Sequence, residues 1–531
     1  MKFEIKPSTF KKYLEESKVS VIDYTKPYDV EEEKKKVLTA LRSMLLYCTG
    51  CGECLSSCYF YHYSPKKAEK IMTEIKEFAF SKKLSKKLSR STKRFIWTCG
   101  ICERCNISCP LPKEKQFSRS GLMVMLRAML VAKQQAPLFI KIARVFLRDI
   151  DNPLLKMIWP IATKVLVKDW YNTKNPLYKQ IRAKIERAQK LPTKGAEICF
   201  FGGCGHTWAA PDVVYQMISI LEESGDDFMT IGNPEFCCGM IYSILGFLDL
   251  WMDQTNKLLN KYLSLKPRPK KLLLHCPGCT TIHLFDVARY GIDLPLDHLR
   301  KMPNGIKMEH ISQHTLQLIK ERKITPQESV PMTVTYNDNC SIGGRLTLVG
   351  EGIFEEPREV LRSIPGVELI ESDYVRENAF CCGIMTKTLG FGTNQKELFK
   401  HTAYKVNEKL FRNILEKGSD TLITPCMGCE ILFEDGAREL YKKLGKKIKV
   451  MDMNELVNKS LGKDLPKRHG FLNEIIKLKM PFLKPSILKI LPRIVKTGAY
   501  RDIYKLIKET LIYLLFPKKF KSYKDSKPIL K

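Results

Sequence analysis

Eighteen of the nineteen cysteines of this 531-residue chain fall into four dense groups, and a polypeptide so built must fold around whatever those thiols hold. Two groups read C-x2-C-x2-C-x3-C: Cys48, Cys51, Cys54 and Cys58, then Cys99, Cys102, Cys105 and Cys109. The other two each combine a single Cys, a later Cys-Cys-Gly and a later C-x-G-C: Cys204, Cys237, Cys238, Cys276 and Cys279, then Cys340, Cys381, Cys382, Cys426 and Cys429. Only Cys199 is left over. The N-terminus carries charge throughout and offers no apolar stretch for a signal peptide, so a cytoplasmic chain is expected. In a reducing compartment clustered thiols point to metal or redox centres rather than to structural disulfides.

The C-x2-C-x2-C-x3-C spacing wraps three thiolates around one cubane and sends the fourth to a neighbour, as in two-cluster ferredoxins. By that rule Cys48, Cys51, Cys54 and Cys109 bind one 4Fe-4S cluster, and Cys99, Cys102, Cys105 and Cys58 bind the second. Structural zinc sites typically use two separate C-x2-4-C pairs, which argues against zinc. One departure stands out: Pro110 follows Cys109, but Tyr59 follows Cys58, where the usual residue is proline.

Between the two runs lies an insert, Tyr59 to Thr98, whose segment KIMTEIKEFAFSKKLSKKL has apolar residues at roughly helical spacing. Past Gly121 amphipathic segments broken at Pro137, Pro153, Pro160 and Pro176 read as a helical connector. Beyond Lys194 the order of elements repeats. AEICFFGGC, DFMTIGNPEFCCG and KKLLLHCPGC are apolar runs ending in cysteine; PMTVTYNDNC, GVELIESDYVRENAFCCG and DTLITPCMGC follow the same order. Helix-like stretches separate them, the pattern of a parallel α/β sheet, in which ligands bind beyond the carboxyl ends of the strands. The expected fold is α+β and multidomain: a helical two-cluster ferredoxin-like domain (1–120), a helical connector (121–194), two tandem α/β cysteine-rich modules (195–325 and 326–462) and a basic amphipathic tail (463–531). The intervals between cysteine groups are longer in the second module, which implies larger loops or an added element there.

Five thiols exceed what one cubane needs, and adjacent cysteines suit an irregular cluster better than a tetrahedral cage. These repeats resemble the cysteine-rich CCG modules of heterodisulfide reductases, and their placement after a two-cluster domain is similar to the D subunit of that family. The layout also resembles the K subunit of the sulfite-reduction-associated complex and iron-sulfur subunits of glycolate, lactate and glycerol-3-phosphate oxidases. The resemblance spans roughly residues 40 to 460. It implies one or two non-cubane 4Fe-4S clusters, one on each set of five cysteines, that act on a disulfide within an oxidoreductase complex. The alternative it leaves open is an electron relay serving a flavin-dependent dehydrogenase and quinone. The implied partners are a membrane cytochrome b-type subunit or a flavoprotein, with a thiol or disulfide as substrate.

His206 and His275 flank the first set and could face a cluster or hydrogen-bond locally. Asp338 and Arg345 flank Cys340 and could either tune its charge or simply be solvated; Cys199 reads as a small core residue. No G-x-G-x-x-G after a strand and no P-loop is present, so no flavin or nucleotide site is expected in this chain. The net charge is +32, part of it in the tail: Lys467 to Lys531 holds 17 Lys or Arg against four Asp or Glu. Interleaved with Leu, Ile and Phe, such a tail suits an anionic membrane surface or the protein's own surface, so a peripheral place on the cytoplasmic face of the membrane is one option. No nucleic-acid motif accompanies the charge, and no nucleic-acid partner is expected.

Overall fold

The computed structural model describes most of residues 38–147, 196–284, 306–386 and 396–463. Residues 1–37, nearly all of 148–195, the basic tail beyond Lys463, and Cys204 lie outside the described residues.

The N-terminal unit is helical. Helices α1 (Glu53–Ser56), α2 (Pro65–Phe80), α3 (Arg90–Thr98), α4 (Arg119–Ala132) and α5 (Leu138–Leu147) follow one another. Pro65 opens α2, where a missing N–H costs nothing, and Ala68, Ile71, Met72, Ile75, Phe78 and Ala79 form its buried stripe. The expected helix therefore ends at Phe80; the following SKKLSKKL, too lysine-rich to keep an apolar stripe, forms a 3-10 turn at Lys82–Leu84 and loop. The Ser89 and Ser118 hydroxyls cap α3 and α4, accepting from the N–H groups of Thr92 and Gly121. A break does fall at Pro137, between α4 and α5. Leu122, Leu126 and Leu130 of α4 pack with Ile71, Ile75 and Ile96 of the insert helices, so α4 belongs to the core that supports the cysteine runs.

Two four-stranded parallel sheets follow with the same topology. The first comprises β1 (Ile198–Phe201), β2 (Phe228–Ile231), β3 (Lys271–Leu274) and β4 (Lys307–His310) in the order β2-β1-β3-β4. Its helices are α6 (Pro211–Ser224), α7 (Met240–Ile244), α8 (Leu248–Ser264), α9 (Pro277–Leu284) and α10 (Ile311–Lys320). The second, β5 (Met332–Tyr336), β6 (Val367–Leu369), β7 (Thr421–Ile423) and β8 (Lys449–Met451), runs β6-β5-β7-β8. It carries α11 (Glu355–Arg362), α12 (Lys396–Glu416), α13 (Met427–Leu444) and α14 (Met453–Ser460). Ile198 pairs with Phe228 on one side and Lys271 on the other; Val334 pairs with Thr421. In each sheet the connection reverses direction between the two central strands, the place where such sheets present ligands. The fourth strand of each sheet, in KMEH and KVM, went unseen in the sequence because three or four residues flanked by lysines leave almost no periodic signal.

Alternation along β1 divides the core. Cys199 and Phe201 face the N-terminal unit; Ile198 and Phe200 face the opposite way, toward a layer shared with Val334, Tyr336 and Ile423 of the second sheet. Cys199 is fully buried, as a small core residue should be. The shared layer is pinned by polar contacts: Asn458 of α14 donates to the carbonyl of Gln216 on α6 at 3.0 Å. The longer interval after Cys340 is taken up by a π-helical turn at Cys340–Arg345 and a 3-10 turn at Leu346–Val349.

Glu434 on α13 is pushed up to about 7 by burial and by nearby Asp212. A carboxyl whose folded pKa is raised binds its proton more tightly than the unfolded chain does. Its contribution to stability is complete below about pH 4 and lost as pH rises through about 7. We expect Glu434→Gln to flatten the pH dependence of the denaturation midpoint between pH 5 and 8 and to add ~1–2 kcal/mol at pH 8, allowing for the side chain's partial exposure. Chemical denaturation across that range checks it.

Candidate functional site

The two cysteine runs close on each other. Cys48, Cys51, Cys54 and Cys109 line one pocket, together with Thr49, Gly52, Met72 and Arg119. Burial pushes the Cys54 thiol up to about 11, while the Arg119 guanidinium beside it pulls the other way. Cys58, the last thiol of the first run, lies with Cys99 and Cys102 of the second, and burial pushes it up to about 12. Thiols so desolvated stay protonated by themselves. Bound iron supplies the positive charge that makes them thiolates, so burial and donor chemistry both fit a cluster. Cys109 sits with the first run and Cys58 with the second.

The CCG cysteines lie beyond the carboxyl ends of the central strands. Cys276 and Cys279 follow β3 at the start of α9, Cys340 follows β5, and Cys426 and Cys429 follow β7 at the start of α13. The Cys-Cys-Gly turns are alike in the two copies. Gly239 (φ 75°) and Gly383 (φ 89°) occupy the left-handed region, which turns their N–H groups back onto the thiols of Cys237 and Cys381, 3.4 Å away in each case. That is the physical reason for glycine as the third residue.

In the second sheet the five thiols form one network. Cys382 is drawn down to about 6 by hydrogen bonds from Cys381 and Cys429, and Asn339 donates to the Cys429 sulfur at 3.3 Å. In the first, Cys238 contacts Cys237 and Cys279, and Cys279 contacts Cys276. The Cys426 thiol is raised chiefly by its hydrogen bond with Cys429 and by burial, and Cys276 of the first sheet adds a smaller electrostatic push.

The N-terminal unit touches the second network directly. The Cys102 thiol is lowered to about 6, chiefly by a hydrogen bond from Cys381. The Arg345 guanidinium donates twice to the carbonyl of Ile101, at 3.0 and 2.7 Å. A Cβ on Gly344 would come within 3.1 Å of the Cys102 carbonyl, so the approach is as close as the backbone allows. Solvation does not account for Arg345 or Asp338, since both are buried. Asp338 is clamped by Arg358, which donates to its two oxygens at 2.8 and 2.7 Å.

His206 and His275 are fully buried, their rings 4.2 Å apart in an edge-on arrangement. The His206 ring stands against the Cys276 thiol without a well-aligned hydrogen bond, and neither ring nitrogen is satisfied among the described residues. His275 turns instead to Asn454 (3.1 Å) and Asp452 (3.6 Å) at the start of α14, and His310 approaches its carbonyl at 3.1 Å. Burial lowers both His275 and His310, the latter to about 3. Sequence reasoning missed Arg119, Arg127 and Tyr59, whose partners lie tens to hundreds of residues away; only the absent proline after Cys58 gave a signal.

Residues 44–112 match the family model of the 4Fe-4S dicluster domain, and residues 334–434 match that of the cysteine-rich CCG domain. The D subunit of the heterodisulfide reductase of Methanosarcina acetivorans is 28% identical over 447 residues, 80% of this chain and 97% of the relative. The chain resembles the D subunit of heterodisulfide reductases. The B subunit of the CoM/CoB fumarate reductase of Methanothermobacter marburgensis is 26% identical over 85% of this chain and 77% of its own length. EtfAB:quinone oxidoreductase of Syntrophomonas wolfei is 23% identical over 69% of this chain and 46% of the relative. Like its heterodisulfide reductase relative, the chain is an iron-sulfur electron-transfer subunit of an oxidoreductase. No helix among the described residues is long and apolar enough to cross a membrane.

Proposed function

We propose that the chain carries two cubane 4Fe-4S clusters in its N-terminal unit, on Cys48, Cys51, Cys54 and Cys109 and on Cys99, Cys102, Cys105 and Cys58. It carries a non-cubane cluster in each cysteine-rich module, and its reaction is the two-electron, two-proton interconversion of a disulfide and two thiols. The modules are those bounded at 195–325 and 326–462, with Cys204 the fifth thiol of the first. Bound there, the clusters supply one-electron steps to a two-electron substrate.

The observation that carries this reading is that both sheets set their cysteines beyond the carboxyl ends of the central strands, with Cys276 within electrostatic reach of Cys426. The neighbouring protein groups have separate tasks. Buried Arg119, Arg127 and Arg345 offset the negative charge of reduced clusters, and the tight Gly-N–H contacts hold the first Cys of each pair. The name of the Methanosarcina relative supports a heterodisulfide as the substrate class, and other redox subunits of a larger complex as partners.

Electron paramagnetic resonance of anaerobically purified, oxidised protein tests it. A paramagnetic oxidised signal that changes on adding a thiol is the expected result. If only reduced-cubane signals appear and thiols change nothing, disulfide chemistry is lost. The chain is then a relay beside a flavoprotein, the reading to which the quinone oxidoreductase relative lends support.

A further inference from the structure

We propose that Tyr59 is a positioning residue that couples the second ferredoxin-type site to the cysteine-rich site of the second sheet. The first cysteine run is followed by Tyr59 and the second by Pro110. A proline there offers neither a donor nor reach. The tyrosine instead carries a hydroxyl across the boundary between the two units. It accepts from the backbone N–H of Cys381 at 2.6 Å and turns its own O–H toward the Cys102 sulfur, 3.8 Å away. One hydroxyl thus joins a thiol of one site to the main chain of a cysteine in the next.

The side chain is held in place for this. Its ring packs against Phe60 and Phe380, with centroids 4.6 and 5.1 Å away, in a site that leaves it 9% exposed. The Arg104 guanidinium lies over the ring at 5.2 Å and is itself anchored by its Nε, which donates to the carbonyl of Asn378 at 3.2 Å. A donor aimed at a cluster-bound thiolate withdraws electron density from it and favours the reduced state. The bond accepted from Cys381 fixes the spacing between the sites. Tyr59 begins and ends protonated, and no electron resides on it.

This inference rests on the reading that both sets of thiols hold iron-sulfur clusters. The test is a potentiometric titration of the full chain, followed by electron paramagnetic resonance, with iron content measured alongside. Tyr59→Phe keeps the ring and removes only the hydroxyl. One of the two cubane signals should move to lower potential and the other stay. A hydrogen bond of ordinary net strength is worth about a threefold to tenfold change in the reduction equilibrium, tenfold being about 59 mV for one electron. Phe411→Leu opens the same hydrophobic core away from the Tyr59 ring and should leave both potentials in place. Unchanged potentials in Tyr59→Phe at full iron content, or an equal shift in Phe411→Leu, would overturn the role of Tyr59. Absence of any iron-sulfur signal from the unaltered protein would instead overturn the reading beneath it.

Discussion

Replacing Cys237 and Cys238 together by serine should reduce disulfide turnover below detection while both cubanes remain reducible. The two thiols sit in a Cys-Cys-Gly turn, and Cys238 contacts Cys279, a cysteine of the same module rather than of the N-terminal runs. Serine is nearly isosteric, so the Gly239 turn and the buried packing around it survive, but a hydroxyl does not replace a thiolate as an iron ligand. Reduced-cubane signals serve as the internal control for folding. Retained turnover would sink the proposal of disulfide chemistry. The matching change at Cys381 and Cys382 should behave differently. Cys381 contacts Cys102, so this pair of substitutions should also disturb the second cubane, and the contrast between the two variants reports the asymmetry of the molecule.

Arg127→Met is expected to be the most destabilising single change in the N-terminal unit. The guanidinium is fully buried and donates to three carbonyls: Ile96 at 2.8 Å, Ile244 at 2.9 Å and Cys99 at 2.8 Å. It thereby ties a helix end and a cysteine loop to the first sheet's α7. Methionine fills much of the volume but leaves the three acceptors without their donor, at a cost of about 3–5 kcal/mol. Lysine should recover only part of this, since a single ammonium cannot reproduce the planar fork. A thermal melt measures the loss. Iron content should fall with it, because the Cys99 carbonyl is adjacent to a thiol of the second cubane site.

Much of this architecture was legible in the cysteine spacing, and for a physical reason. A cluster fixes its ligands within a few ångströms, so ligand spacing survives in sequence even where propensities are weak. The placement of Cys109 beside the first run and of Cys58 beside the second is legible that way, and the alternation of apolar runs with helical stretches gave the parallel sheets. What could not be read depends on contacts between units. Tyr59 meets Cys381 across more than 300 residues, Arg345 meets Ile101 across 244, and Arg127 meets Ile244 across 117. An arginine in a charge-rich chain looks like solvated surface until its carbonyl partners are known, and Asp338 and Arg345 were ambiguous for the same reason. Strands β4 and β8 were hidden by their brevity.

The pocket of the first run differs from the other sites in one respect: Cys51 is exposed, whereas the thiols of the Cys-Cys pairs are sealed inside. Accessibility of this kind sets an order of loss and repair. On the proposed cluster assignment, an iron chelator or oxidant arriving from solvent meets the Cys51 site before it meets the buried Cys-Cys pairs, and the same exposure makes that site the one most open to iron replacement.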